Sequence, residues 1–120
     1  MAKKILVVED SLMIQKLFKR ALEEHGFEVK TSENGREALP LIVDTQFDLI
    51  FTDLNMPFIN GIEFTKHVRK NINYLNTPII LVSSDSVSSR KADAKKAGAT
   101  GWITKPFKVE KILAQVNHFL

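Results

Sequence analysis

Four short apolar runs govern what this chain can become. Ile5 to Val8, Leu49 to Phe51, Ile79 to Val82 and the pair Trp102-Ile103 are continuous, not alternating. A strand with one face in water alternates apolar and polar residues, whereas a strand without a polar face is covered on both sides. Between the runs, apolar residues recur at helical spacing. Strands that alternate with helices are what parallel crossover connections need, so the pattern predicts a parallel sheet sandwiched between helices.

The helices can be placed individually. Leu12, Ile14, Leu17, Phe18, Ala21 and Leu22 share one helical face, opened by Ser11 as N-cap and closed by Gly26 as the residue beyond the C-cap. Phe27 to Thr31 reads as a half-exposed strand. A second helix is expected from about Gly35 to Asp44, with a kink or early end at Pro40, which lacks an amide donor. Leu49 to Asp53 forms the third strand, and Gly61 opens a helix to about Lys70. Thr77-Pro78 introduces the strand Ile79 to Val82. The next helix, about Ser86 to Ala97, has mostly alanines as its apolar positions and Val87 as its one large one, which marks it as a weakly anchored, movable element. A strand from Gly101 to Thr104 leads into a last helix that buries Val109, Ile112, Leu113 and Val116. That makes five β/α units with no repeat, and a single domain is expected over residues 1–120.

Composition narrows the functional classes. With 120 residues the chain is long enough to bury one core unaided, and with no cysteine it has no disulfide or thiolate metal site, which fits a reducing, cytoplasmic setting. Lys3-Lys4 precedes only four apolar residues, too few for a secretory leader. No run approaches a membrane span, so no membrane insertion is expected. The net charge of +3 comes without arginine clusters or interleaved aromatics, and direct nucleic-acid binding is not expected.

The chemistry collects at strand ends. Glu9-Asp10, Asp53, Ser83-Ser84 and Lys105 each follow an apolar run, and in open parallel sheets ligands bind beyond the carboxyl ends of the strands. Taken singly, each residue has a structural explanation: Glu9 and Asp10 as dipole partners of a helix start, Asp53 in an Asx-turn, the serines as caps and Lys105 as a solvated turn residue. Together they are harder to explain structurally. Two carboxylates about 4 Å apart repel by roughly 4 kcal/mol at an effective dielectric of about 20, a cost that a hard divalent cation removes. Acids, a cation site, a hydroxyl and an ammonium group describe phosphoryl transfer to a carboxylate. His25, His67 and His118 lie away from this rim and read as surface or helix-end residues.

With Glu9-Asp10, Asp53, Met56-Pro57, Gly61, Ser83 and Lys105-Pro106-Phe107 in place, the chain resembles the receiver domains of two-component response regulators, of the CheY-like type, from Lys3 to Leu120. The resemblance implies a flavodoxin-like (βα)5 three-layer α/β sandwich with a five-stranded parallel sheet in the order 2-1-3-4-5. It implies that Asp53 accepts a phosphoryl group from the phosphohistidine of a histidine kinase or phosphotransfer domain. Mg²⁺ would be held by Asp10, Asp53 and the backbone carbonyl of Asn55, with Glu9 assisting through water. Lys105 would contact the phosphate, and its bond to Pro106 is expected to be cis. Ser83 and Trp102 are the expected switch residues, and Asn55 and Asp85 are expected to tune dephosphorylation. Glu9 replaces the commoner aspartate, Ser83 the commoner threonine, and Trp102 the tyrosine or phenylalanine often found there.

The expected output is phosphorylation-dependent binding of a downstream protein, in chemotaxis or another phosphorelay, by a monomer or transient dimer and without enzymatic turnover beyond its own phosphorylation and dephosphorylation. Arg90, Lys91, Lys95, Lys96, Lys108 and Lys111 make the last two helices basic, which suits either an acidic partner or a solvated surface. Two other readings compete: an aspartate-based phosphohydrolase and a pseudo-receiver scaffold that takes no phosphate. The phosphohydrolases carry a second acid two residues after the nucleophile, where this chain has Asn55. No Gly-rich phosphate loop supports a nucleotide-binding reading.

Overall fold

The computed structural model describes residues 2–84 and 88–120. Its elements alternate strictly: β1 Lys4–Val8, α1 Leu12–Glu23, β2 Glu28–Ser32, α2 Gly35–Asp44, β3 Leu49–Asp53, α3 Gly61–Arg69, β4 Ile79–Ser83, α4 Ser88–Ala97, β5 Gly101–Thr104 and α5 Val109–Phe119. A 3-10 turn at Ile72–Tyr74 links α3 to β4. The strands form one parallel sheet in the order β2-β1-β3-β4-β5, the flavodoxin-like arrangement. Among the described residues no helix is long and apolar enough to cross a membrane.

The apolar runs do what their lack of alternation requires. Ile5 and Val7 face the α1 and α5 side, packing with Phe18, Leu22, Phe51, Val82, Ile112 and Val116. Leu6 and Val8 face the other side, with Ala38, Ile42, Ile50, Phe64 and Val68. Under α4 the core is thin: Ala94 and Ala97 are its buried contributions, set against Leu54, Ile62 and Leu81. Thus α4 has no large apolar anchor among its described side chains, as the alanine-rich sequence predicts. Val87 and the expected helix start at Ser86 lie outside the described residues.

Local signals explain most boundaries. Ser11 Oγ accepts from the Ile14 amide at 3.3 Å and caps α1. At its far end the Phe27 amide donates to Leu22 O and the Gly26 amide to Glu23 O, with Gly26 at φ +87°, the bond pair that closes a helix on a left-handed glycine. Asn60 and Glu63 form a reciprocal capping box at the start of α3. Three expectations need correction. β2 lies one residue later than expected, at Glu28–Ser32. Leu113 and Val109 are only half-buried, so Ile112 and Val116 alone anchor α5 fully. α2 does not end at Pro40 but runs on to Asp44, because Pro40 sits on the exposed side and the Thr45 amide still donates to Leu41 O.

Candidate phosphoryl-acceptor site

Strand pairing carries the site residues to one rim. Three ladder bonds continue beyond the paired strand ends: Glu9 N to Ser32 O at 2.9 Å, Leu54 N to Val82 O at 3.0 Å and Lys105 N to Ser83 O at 2.7 Å. They hold the backbone at Glu9, at Leu54 beside Asp53, and at Lys105 in register with the sheet. The Lys105-Pro106 peptide is cis, as the family resemblance implies.

Carboxylate oxygens of Glu9, Asp10 and Asp53 all lie within 4.8 Å of one another. Glu9 and Asp53 are buried and Asp10 is exposed at the mouth. Lys105 Nζ sits 3.4 Å from both Glu9 Oε2 and Asp53 Oδ1, bridging the two buried acids. Burial raises the Glu9 carboxyl from 4.5 to about 7, with the Asp53 charge adding to the rise and Lys105 opposing it. Burial likewise raises Asp53, again against Lys105. One ammonium therefore does not neutralise the cluster. The donor set is entirely hard oxygen with residual negative charge, and it fits a divalent ion such as Mg²⁺.

The helix-start explanation for Glu9 is also visible, since Glu9 Oε1 accepts from the Ser11 amide at 3.2 Å. Ser83 is fully buried at the end of β4, and Asn55 is exposed directly after Leu54. Asp85 lies outside the described residues. Trp102 lies half-buried on β5, and among the described residues its buried Nε1 finds no hydrogen-bond partner. The three histidines stand apart, all exposed, with His25 Nδ1 3.0 Å from Ala21 O.

Several supporting residues escape a motif-based reading. Gln15, buried in α1, donates from Nε2 to Glu9 O at 2.5 Å and to Ser32 O at 3.5 Å, tying the ends of β1 and β2 together. Thr52 Oγ1 donates to Asp53 O at 3.0 Å. Gly61 lies against the backbone of Asp53, where a Cβ would collide with the Asp53 carbonyl oxygen. A polar residue on the buried helical face was the available signal for Gln15. Thr52 carries none, because a strand threonine is unremarkable by sequence.

An open parallel sheet with acids, a serine and a lysine gathered at its carboxyl rim defines a receiver domain of the two-component type. The chain belongs to the response regulator receiver domain family, which matches residues 5–117. It is CheY-like within that family. It is 32% identical to the chemotaxis protein CheY of Pseudomonas aeruginosa, over 95% of this chain and 98% of that protein. It is 39% identical to the uncharacterized transcriptional regulatory protein YrkP of Bacillus subtilis, over 97% of this chain but 48% of that protein. The chain thus spans about half the length of several curated relatives it matches, from 48% to 54%. The solved structure of chemotaxis protein CheY4 of Vibrio cholerae superposes with a TM-score of 0.96 at 38% identity, covering both chains fully. Receiver domains are signalling switches, generally not classed as enzymes, that work with histidine kinases and downstream effectors.

Proposed function

We propose that residues 1–120 act as one phosphorylation-controlled switch in which Asp53 is the acceptor. Asp53 Oδ attacks the phosphorus of a phosphohistidine, the bond from phosphorus to imidazole nitrogen breaks, and the imidazole takes up a proton. Asp10, Asp53 and the Asn55 carbonyl would hold Mg²⁺, with Glu9 assisting through water; bound there, the ion supplies charge neutralisation for the phosphoryl oxygens. Lys105 gives the phosphate an ammonium partner, and Ser83 supplies a hydroxyl for one phosphoryl oxygen. The observation that carries this reading is the placement of Lys105 Nζ 3.4 Å from two buried acids within a three-carboxylate cluster. Asn55 occupies the place where the phosphohydrolases keep a second acid, which favours a switch over a hydrolase. Asn55 and Asp85 are assigned to tuning water attack on the acyl phosphate.

The readout is assigned to the α4-β5-α5 face. Trp102 supports this, because among the described residues its buried indole N–H has no acceptor, a cost that a rotamer reaching water would relieve. Beside it runs a groove of about 710 Å³ whose lining includes Trp102 and Phe107 and sets three lysines, Lys91, Lys108 and Lys111, against one acid, Glu110. That chemistry fits an acidic downstream protein, in chemotaxis or another phosphorelay.

Incubation with acetyl phosphate or a cognate kinase and Mg²⁺ should add one phosphoryl group to the wild type and none to Asp53→Asn. Equal labelling of both proteins would refute the assignment, as would an unchanged wild-type mass. Pull-downs with and without beryllium fluoride should differ in the partner recovered.

A further inference from the structure

The loop between β3 and α3 holds an unusual residue. Phe58 has φ +73°, in the left-handed region that disfavours any residue with a Cβ. The Ile59 amide donates to Pro57 O at 2.9 Å, so Phe58 is the centre of a γ-turn with positive φ, the rare and strained form. Burial does not compensate for this strain, because Phe58 is 67% exposed.

Its neighbours hold it instead. The Arg36 guanidinium carbon lies 4.6 Å from the Phe58 ring centroid. Next to it, Ile59 seats so closely on Gly35 that a Cβ there would stand 2.8 Å from Ile59 Cδ1. Both contacts brace the loop against the start of α2. At its two ends the loop is tied by Leu54 N to Val82 O and by Gly61 N to Leu54 O at 2.8 Å. Asn55 lies between the tied end and the braced turn.

We propose that Arg36 and Phe58 form a positioning brace that keeps the β3-α3 loop in its strained turn and so presents the Asn55 carbonyl to the divalent ion. This rests on the Mg²⁺ reading above. The strain is then a property of the site, held by a cation on a neighbouring helix.

Calorimetric Mg²⁺ titration of the full chain tests it, with urea unfolding as a parallel readout. Arg36→Ala and Phe58→Leu should each weaken Mg²⁺ binding by roughly two- to fivefold, the size of an exposed cation-π contact, and the double variant should be no weaker than either. Arg36→Lys should recover part of the loss. The sign is diagnostic, because removing a positive charge near a divalent-cation site tightens binding by Coulomb's law alone. Phe58→Leu leaves net charge unchanged and tests the ring by itself. Wild-type affinity in both single variants, or tighter binding by Arg36→Ala, overturns the brace. Asp10→Asn separates the two layers: intact Mg²⁺ binding there removes the metal reading itself, whereas loss there with unchanged Arg36→Ala and Phe58→Leu removes only the brace.

Discussion

The guanidinium of Arg69 holds the carbonyl oxygen of Gly98 with two donors, Nε at 3.0 Å and Nη2 at 2.8 Å. The same group donates through Nη1 to Thr77 O at 2.7 Å and to Tyr74 O. Gly98 follows α4 at φ +108°, and Arg69 ends α3. A half-buried arginine thus joins the end of α3, the entry to β4 and the exit of α4.

Replacing Arg69 by alanine leaves three backbone carbonyls without their charged donor, at about 1.5–3 kcal/mol for a bond of this kind. We expect Arg69→Ala to lower unfolding free energy by about 3 kcal/mol in urea. Arg69→Lys should recover less than half, since an ammonium cannot reproduce the planar fork. A loss below about 1 kcal/mol in the alanine variant would contradict the role given to this side chain.

Tyr74 is fully buried, and its hydroxyl accepts from the Phe47 amide at 3.2 Å while facing Ile42 O at 2.8 Å and Thr45 O at 2.6 Å. Tyr74→Phe keeps the ring and removes only the oxygen that ties the end of α2 to the start of β3. The expected cost is about 1–3 kcal/mol, the range for unsatisfied buried groups. Hydrogen exchange at the Phe47 amide should rise by a matching factor, and unchanged protection there would speak against the bond.

Acid-base behaviour follows from Glu9. Its folded value of about 7 lies above the unfolded 4.5, so the folded protein binds this proton more tightly. That contribution to stability is complete below about pH 4.5 and lost as pH climbs through 7, an effect of at most about 3 kcal/mol. Asp53, also raised, acts in the same direction. Without divalent ions, Glu9→Gln should therefore gain stability relative to wild type as pH rises from 5 to 7.5. Urea midpoints across that range test this, and a difference independent of pH would exclude Glu9 as the titrating group. Apparent Mg²⁺ affinity should rise over the same window, as the carboxylates lose protons.

Gly61 is fixed by contact, not by conformation: its φ is unremarkable, but any Cβ meets the Asp53 carbonyl oxygen and Leu54 Cα. Gly61→Ala should lower stability by about 1–3 kcal/mol, as overpacking does, and slow phosphorylation by acetyl phosphate. Wild-type rates in a folded Gly61→Ala protein would show that the acceptor tolerates movement of its own backbone.

Sequence periodicity revealed the sheet because strands buried on both faces have no polar alternation to confuse the reading, and Ser11 and Gly26 marked helix ends through local bonds. The rim was legible because Glu9, Asp10, Asp53, Ser83 and Lys105 all end apolar runs. Arg69 and Tyr74 were not, because their partners are backbone carbonyls brought near only by the fold. Phe58 was invisible for a related reason: a phenylalanine in a loop carries no sign that its φ is positive. Pro40 misled because the helix retains its remaining amide bonds on either side of the missing one.

The ladder bonds that continue past β1, β3 and β5 stiffen the rim at three points. Glu9, Asp53 and Lys105 sit on backbone clamped by the sheet, so a phosphoryl group on Asp53, as proposed above, is not accommodated by shifting that residue's backbone. On the proposed reading the adjustment falls first on side chains, above all on Lys105 Nζ, 3.4 Å from Asp53 Oδ1. On that reading the sheet serves as an anvil, keeping the Asp53 backbone still while the charged groups around its carboxylate adjust.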